Sequence, residues 1–289
     1  MIMRYQIDKN LVKATIKRRS HDADKSEIGS LLSVCGSYGM AGAAIMSSKA
    51  ALRSGLGLLK LCVPRSIYPI IAGAVPEAVF YPVEDVAVGD FDFVSKSKYC
   101  GAILVGCGLS VNSETRSLVT RIVSESGIPL ILDADALNII AENPDILNAS
   151  NTVKTITPHD REFSRLCNKD INEVKKNREE LALGFAKEYS VNVVLKGHKT
   201  IVASPDGDLL YNDTLGNAGM ATGGSGDVLA GVIASLTAQG FDPFKSACSG
   251  VYVHALAGDI AKEKFGEISM LPTDIVECLP EAYMSIRIC

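Results

Sequence analysis

Asn217-Ala-Gly-Met-Ala-Thr-Gly-Gly-Ser-Gly-Asp-Val-Leu-Ala-Gly231 decides how this chain is read. Three glycines, Gly223, Gly224 and Gly226, lead through Ser225 into one carboxylate, Asp227. Apolar residues then recur at Val228, Leu229, Val232, Ile233 and Leu236, the spacing of one helix face. Gln239-Gly240 supplies a stop. The N-terminus of that helix therefore falls in the glycine loop. Free main-chain N–H groups and the helix dipole there favour an anion. Residues 223–226 read as an anion nest, with Asp227 beside it to take a hydroxyl proton. The competing reading is a glycine-rich turn in which Asp227 caps its own helix. This loop alone does not choose between the two.

The surrounding chain narrows the choice. Its 289 residues are 47% hydrophobic, enough for a large core in a single α/β domain spanning 1–289. The net charge is −4 with acids and bases interspersed, so no basic patch points to nucleic acid. Eight cysteines include no C-x-x-C pair, which indicates neither a zinc site nor a disulfide framework. Cys35, Cys62 and Cys107 lie in apolar runs and read as buried, reduced thiols of a cytoplasmic protein. Arg4, Asp8 and Lys9 interrupt any signal peptide. The uncharged run 28–48 is long enough to raise a membrane helix, but its four glycines and many serines read better as strand, turn and buried helix.

Short apolar segments alternate with helical ones. Strands are expected at 31–35, 58–63, 103–106, 129–133, 152–157 and 191–196. Helices are expected over 41–54, over 113–126 with Gly127 closing it, and over one long polar stretch from about 172 to 188. The segments 199–203 and 209–212 flank Pro205-Asp206-Gly207 and read as a hairpin. A short surface helix is expected within 1–27. The order implies a mostly parallel sheet covered on both faces, antiparallel near the hairpin.

Ligands of such sheets bind at the carboxyl ends of strands, which makes the polar loops there candidates for one site. Gly36-Ser-Tyr-Gly-Met-Ala-Gly-Ala43 offers small residues, either for close ligand approach or for tight helix packing. Val105-Gly-Cys-Gly-Leu109 resembles the start of a dinucleotide fingerprint. The third glycine of that pattern would fall at Val111, so the fingerprint fails. Asp133 and Asp135 either position substrate and hold Mg²⁺ through water, or serve as a strand end and a helix cap. His159, in Thr157-Pro-His-Asp-Arg-Glu162, is either a ligand contact or a structural residue. Lys196, Gly197, His198, Lys199 and Thr200 form either a nucleotide contact or a solvated hairpin tip. There is no Gly-Lys dipeptide and so no Walker A loop; nucleotide phosphate would need the 223–227 nest.

Seven segments in one order closely resemble the NAD(P)H-hydrate dehydratases of the ribokinase-like superfamily. They are GSYGMAGAA (36–44), ALRSGLG (51–57), PLILDADALN (129–138), TPHDREF (157–163), VVLKGHKTIVASPDG (193–207), GNAGMATGGSGDVLAG (216–231) and VYVHALAGD (251–259). The resemblance covers about residues 25–280 and implies a three-layer αβα sandwich. It implies repair of hydrated nicotinamide cofactors: phosphorylation of the ring hydroxyl of (S)-NADHX or (S)-NADPHX by ADP or ATP with Mg²⁺, then loss of phosphate to give NADH or NADPH. By motif, it places Lys196 to Thr200 and Gly226 on the nucleotide, and Ala43, Gly108, His159 and Asp227 on the hydrate. Asp227 becomes the general base. It further implies a homo-oligomer, a tetramer, with no membrane or nucleic-acid partner. The chain has no room for the epimerase domain that some members carry, so a stand-alone dehydratase is expected.

Two residues depart from the family pattern. Cys107 replaces a proline, and Ser26 replaces a glycine after Lys25; neither is expected to touch the chemistry. The rival readings are a small-molecule kinase of the same fold, of the hydroxyethylthiazole or hydroxymethylpyrimidine type, and a nucleotide-binding regulator that has lost catalysis.

Overall fold

The computed structural model describes residues 5–22 and 27–287, which leaves Lys25 and Ser26 outside the described residues. In chain order the elements are β1 (Tyr5–Gln6), α1 (Lys9–Thr15), β2 (Ser30–Val34), α2 (Ala41–Arg53), β3 (Leu58–Pro64), α3 (Tyr68–Ala74) and β4 (Val79–Val83). Then come α4 (Phe93–Lys96), β5 (Ala102–Val105), α5 (Ser113–Glu125), β6 (Leu130–Leu132), α6 (Asp135–Ile140), β7 (Lys154–Ile156) and α7 (Asp160–Leu166). The remainder are α8 (Ile171–Lys176), α9 (Arg178–Tyr189), β8 (Val191–Leu195), β9 (Thr200–Ala203), β10 (Leu209–Asn212), α10 (Ser225–Ala238), α11 (Pro243–Phe265) and α12 (Pro272–Ile286).

Ten strands form one sheet in the order β1-β10-β9-β8-β7-β6-β5-β2-β3-β4. Pairing is parallel except for β8 with β9 and β9 with β10. Alternation along the strands feeds two cores. Leu32, Ile103, Leu130 and Val193 face the side covered by α5, α6, α7 and α9. Their neighbours Leu31, Leu104, Ile131 and Val194 face α2, α3, α10 and α11. Side chains of alternate parity on both faces are what a doubly covered sheet requires. A third cluster packs α1, α10, α11 and α12 together outside that layer.

The uncharged 28–48 run folds as strand, turn and helix, and no helix among the described residues is long and apolar enough to cross a membrane. Three local expectations change. The polar stretch expected as one helix is two, α8 and α9, divided at Asn177, whose φ of −121° and ψ of 33° break the helical path. Helix α5 leaves through Ser126 in an extended conformation, so Gly127 is no left-handed cap. Helix α3 and edge strand β4 have too few patterned residues to have been expected.

Strand order reverses between β2 and β5, because β2 pairs with both β3 and β5. A crevice opens at such a reversal, at the carboxyl ends of the two strands. Those ends are Cys35-Gly36 and Gly106-Cys107, tied by Gly36 N–H donating to the Cys107 carbonyl at 2.9 Å. Helix α10 reaches this point by lying very close to α2. A Cβ on Gly231 would stand 2.2 Å from the Ser47 carbonyl oxygen and 3.0 Å from the Ala50 Cβ.

Gly231→Ala separates two opposing effects. Helix propensity favours alanine by about 1 kcal/mol, while forcing the helices apart costs about 1–3 kcal/mol or more. The clash is with a main-chain oxygen, which cannot swing away, so the packing cost wins. Urea denaturation should show a lower midpoint for the variant. A raised midpoint would mean that α10 and α2 do not meet here.

Candidate active site

The glycine loop enters α10 through Gly224, whose φ of 107° is left-handed and whose added Cβ would stand 2.5 Å from Met46 Cε. Both constraints demand glycine. Gly223 faces open space, and Gly226, inside the first turn, has ordinary φ. A Cβ on Gly226 would stand 3.2 Å from Lys196 Nζ, so the KGHKT lysine reaches under the nest. Asp227 makes no cap hydrogen bond to its own helix. That removes the capping role considered for it from sequence.

Lys196 is no solvated hairpin tip. Its ammonium donates to Asp133 Oδ1 at 2.7 Å and lies 3.9 Å from Glu162 Oε2. The Asp133 side chain is only 2% exposed, and Oδ1 also accepts from Thr157 Oγ1 at 2.8 Å. Burial works against the lysine's charge. The carboxylates of Asp133 and Glu162 outweigh it and hold the ammonium above its usual range. Glu162 is pushed up by its own burial, against the pull of Lys196.

Asp227 has the environment of a base. Its carboxyl is pushed up to about 6, first by burial and then by the negative charge of Asp133. Cys107 stands beside both: ligand atoms of Cys107, Asp133 and Asp227 lie within 4.8 Å of one another, and the thiol is 3.8 Å from Asp133 Oδ2. The expectation that Cys107 stays clear of the chemistry is therefore wrong. Its thiol is held well above the usual range by a hydrogen bond with Cys35, by burial, and by the charges of Asp227 and Asp133. It stays a neutral donor between two carboxylates.

The other nominated residues divide into two groups. Gly108, with φ of 61°, meets Ala43, since an added Cβ would stand 2.7 Å from the Ala43 Cβ. Ser37 Oγ stitches their loops by donating to the Gly108 carbonyl at 2.9 Å. His159 caps α7, its Nδ1 accepting from Arg161 N–H and Glu162 N–H at 3.1 Å each. Its ring is half exposed, and Nε2 lies 3.6 Å from Glu162 Oε1, so the ring and Glu162 face each other at the start of α7. Lys196 N–H donates to the Pro158 carbonyl at 2.8 Å and joins the TPHD and KGHKT segments. Gly197, His198 and Lys199 are exposed, at the rim of the site, and Thr200 begins β9.

Asp135 is not a cap. It begins α6 behind Ala134, whose φ of 49° is left-handed, and its Oδ2 accepts from Ser110 N–H at 2.8 Å. Strain of this kind gathers at functional sites. With Asp133 Oδ1 taken by Lys196 and Thr157, and Asp135 by Ser110 and Asn138, the carboxylate oxygens left for a hard cation are Asp133 Oδ2 and those of Asp227. Magnesium held by one or two carboxylates plus phosphate oxygens fits that supply; the soft thiol of Cys107 does not.

Sequence reading missed Arg178 and Glu162. Arg178 pairs with Asp160 and donates to the carbonyls of Leu195 and Lys196 at 2.8 and 3.2 Å, which shapes the KGHKT segment from behind. An arginine in a polar helix carries no sequence signal for that task. Glu162 did carry one, as the third residue after His159 in a capping box.

Comparison with known proteins places this arrangement. The profile described as NAD(P)H-hydrate dehydratase matches residues 31–281. An ADP-dependent (S)-NAD(P)H-hydrate dehydratase from Neisseria meningitidis is 36% identical over 253 residues, 86% of this chain and 83% of that protein. Among solved structures, the ADP/ATP-dependent NAD(P)H-hydrate dehydratase of Bacillus subtilis, co-crystallised with ATP/Mg²⁺, superposes with a TM-score of 0.85 at 28% identity. It covers 98% of this chain and 99% of that one. A ribokinase-like superfamily protein from Enterococcus faecalis gives the same TM-score at 27% identity, over 99% of this chain and 97% of that one. The chain spans about half the length of the bifunctional NAD(P)H-hydrate repair enzymes it also matches, 52% of the one from Moorella thermoacetica. A sheet reversed between β2 and β5, with a glycine loop and a raised carboxylate at the reversal, is thus the ribokinase-like fold, and the chain belongs to the NAD(P)H-hydrate dehydratase family.

Proposed function

We propose that this protein dehydrates (S)-NADHX and (S)-NADPHX to NADH and NADPH, with ADP or ATP as phosphoryl donor. The observation that carries the proposal is Asp227, a carboxylate raised to about 6 at the mouth of an anion nest. A base works best when its pKa lies near the operating pH. A pure nucleotide binder has no use for one.

The donor's terminal phosphate lies on the main-chain N–H groups of Gly223, Gly224 and Gly226, the Ser225 N–H being taken by the Thr222 carbonyl. The Lys196 ammonium supplies positive charge beneath it. Magnesium, if bound with the phosphates, would be held from the protein side by Asp133 Oδ2 and would neutralise charge on the transferring group, leaving Asp227 free as the base. The hydrate sits between the Ala43–Gly108 contact and His159. Asp227 takes the ring hydroxyl's proton as the hydroxyl oxygen attacks phosphorus and the donor's phosphoanhydride bond breaks. The electron pair of the ring nitrogen then expels phosphate with cleavage of the carbon–oxygen bond, and a proton leaves the adjacent ring carbon. The nest that held the transferring group also stabilises the departing phosphate. The same reading includes a homotetramer in the cytoplasm, which sedimentation and fractionation would check.

Asp227→Asn keeps the size and removes the base. Turnover should fall roughly a hundred- to ten-thousand-fold with nucleotide affinity largely kept. Turnover within a few-fold of the parent would take Asp227 out of the role. In the parent, turnover should rise with pH through about 6, because the ionised carboxylate is the active form. Stability should run the other way. The folded state raises this carboxyl from 3.8, so its contribution declines as pH rises from about 4 to about 6. Asp227→Asn should accordingly melt higher than the parent at neutral pH.

Gly224→Ala forces a side chain into left-handed backbone and against Met46. Calorimetry should show weakened ADP and ATP binding, more so than for Gly226→Ala, where only the flexible end of Lys196 must move. Equal, parental affinities in both variants would place the phosphate elsewhere.

The reaction itself is tested with NADHX, Mg²⁺ and each nucleotide, followed by phosphorus NMR and absorbance. One phosphate and one NADH should form per nucleotide consumed, with no phosphorylated organic product. A lasting phosphoester, or nucleotide consumed without return of the NADH band, would point instead to a small-molecule kinase.

A further inference from the structure

Helix α11 takes no part in the chemistry described above, yet the glycine loop is laid along it. At the loop's start, Gly216 N–H donates to Asp259 Oδ2 at 2.9 Å. The Asn217 side-chain amide donates to Asp259 Oδ1 and to the Gly258 carbonyl, each at 3.0 Å. Met220 packs where a side chain on residue 258 would be, since a Cβ there would stand 2.3 Å from its sulfur. At the loop's end, Ser225 Oγ and His254 Nε2 are 3.3 Å apart, both buried. His254 and Asp259 are five residues apart on one helix, about 7.5 Å along its axis.

Between those anchors the loop bonds to itself. Asn217 Oδ1 accepts from Gly219 N–H at 3.0 Å. The Gly219 carbonyl accepts from Thr222 Oγ1 at 2.9 Å. The Thr222 carbonyl accepts from Ser225 N–H at 3.2 Å. The chain of bonds runs from Asp259 through Asn217, Gly219, Thr222 and Ser225 to His254, and α11 closes it into a ring.

We propose that His254 is a positioning residue for phosphoryl transfer: through Ser225 it fixes the first turn of α10, and so holds the phosphate-binding amides and Asp227 in register. Asp259 does the same for the loop's other end. The argument is geometric. Ser225 opens α10, Gly226 and Asp227 follow it directly, and Ser225 Oγ reaches out of the loop to a side chain of another helix. A neutral ring suits the task. Burial holds His254 down at about 4, with Lys196 adding to the effect, so the imidazole brings no extra charge to a nest already served by Lys196. The inference rests on the reading that this loop holds nucleotide phosphate.

The test compares His254→Ala, Ser225→Ala, the double variant and His254→Gln, all in the full chain. Readouts are calorimetric binding of ADP and ATP, kcat and KM with NADHX, and thermal melting. Each single alanine variant should weaken nucleotide binding about tenfold, the loss expected for one buried hydrogen bond. The double variant should be no weaker than either single, because both remove the same bond. His254→Gln, which places an amide where the ring has Nε2, should recover most of the affinity. Turnover should fall with the KM for NADHX nearly unchanged. Additive losses in the double variant would overturn the proposal. So would a lowered melting temperature with parental nucleotide affinity in the folded protein. If the parent itself bound neither nucleotide, the phosphate reading would fail, and this inference with it.

Discussion

Two carboxylates, buried Asp133 and half-buried Asp227, lie near one ammonium at the end of the sheet, and the rest of the site follows from how differently they meet it. Asp133 takes the lysine directly, at 2.7 Å, and holds Thr157 with the same oxygen. Asp227 is left with burial, the repulsion of Asp133 and only a weaker share of Lys196. Burial without a direct partner raises a carboxyl. The arrangement therefore puts two identical functional groups in different settings, Asp133 bound to Lys196 and Asp227 raised without a direct partner. Cys107 fits between them because a neutral thiol adds no third charge. A thiolate there would be repelled by both neighbours.

That division depends on four loops arriving at one place. The reversal of strand order between β2 and β5 opens the crevice, and Gly36 bonded to Cys107 sets its floor. Lys196 can reach Asp133 only because β8 lies beyond β7 in the sheet, and the Pro158 carbonyl pins its main chain. Asp227 can reach the same point only because Gly231 lets α10 approach α2. A side chain at position 231 would act on the site from a full turn away. The grouping of Asp133, Lys196 and Asp227 is in this sense a product of backbone packing.

The sequence made legible what rests on backbone chemistry. Glycines before an apolar helical period announced the nest. Pro205-Asp206-Gly207 announced the β9–β10 turn, where Gly207 has φ of 99°. Apolar runs announced β2, β5, β6 and β8, although their bounds moved by a residue or two. What the sequence hid was partnership across distance. Lys196 and Asp133 are 63 positions apart, and nothing local distinguishes that lysine from Lys199, which is exposed. Arg178 sits in a charged helix among residues of similar kind. Cys107 read as a substitution clear of the chemistry, because sequence position cannot tell which side chain lies under which loop. Of the two readings of Asp135, the helix cap fails, because the cap position is taken by Ala134 in strained backbone.

The residues that break local rules are gathered at this one end of the fold. Ala134 has left-handed φ without being glycine, Gly224 is left-handed at a helix start, and Asp227 is ionisable and largely buried. Each costs stability, of order 1–3 kcal/mol for a strained non-glycine conformation. Such costs persist only where surrounding structure over-determines the geometry. Here the surroundings are rigid: Asp133 is clamped from Lys196 and Thr157, Gly106 fits against the Asp133 carbonyl where a Cβ would stand at 2.0 Å, and the glycine loop lies along α11. Sites that must present charge to a phosphate in low dielectric gain most from such rigidity, since dipoles already aimed need no reorganisation as the reaction proceeds. The strain and the raised carboxyl are two consequences of one requirement, that the glycine-loop amides and the Asp227 carboxyl face the same small volume.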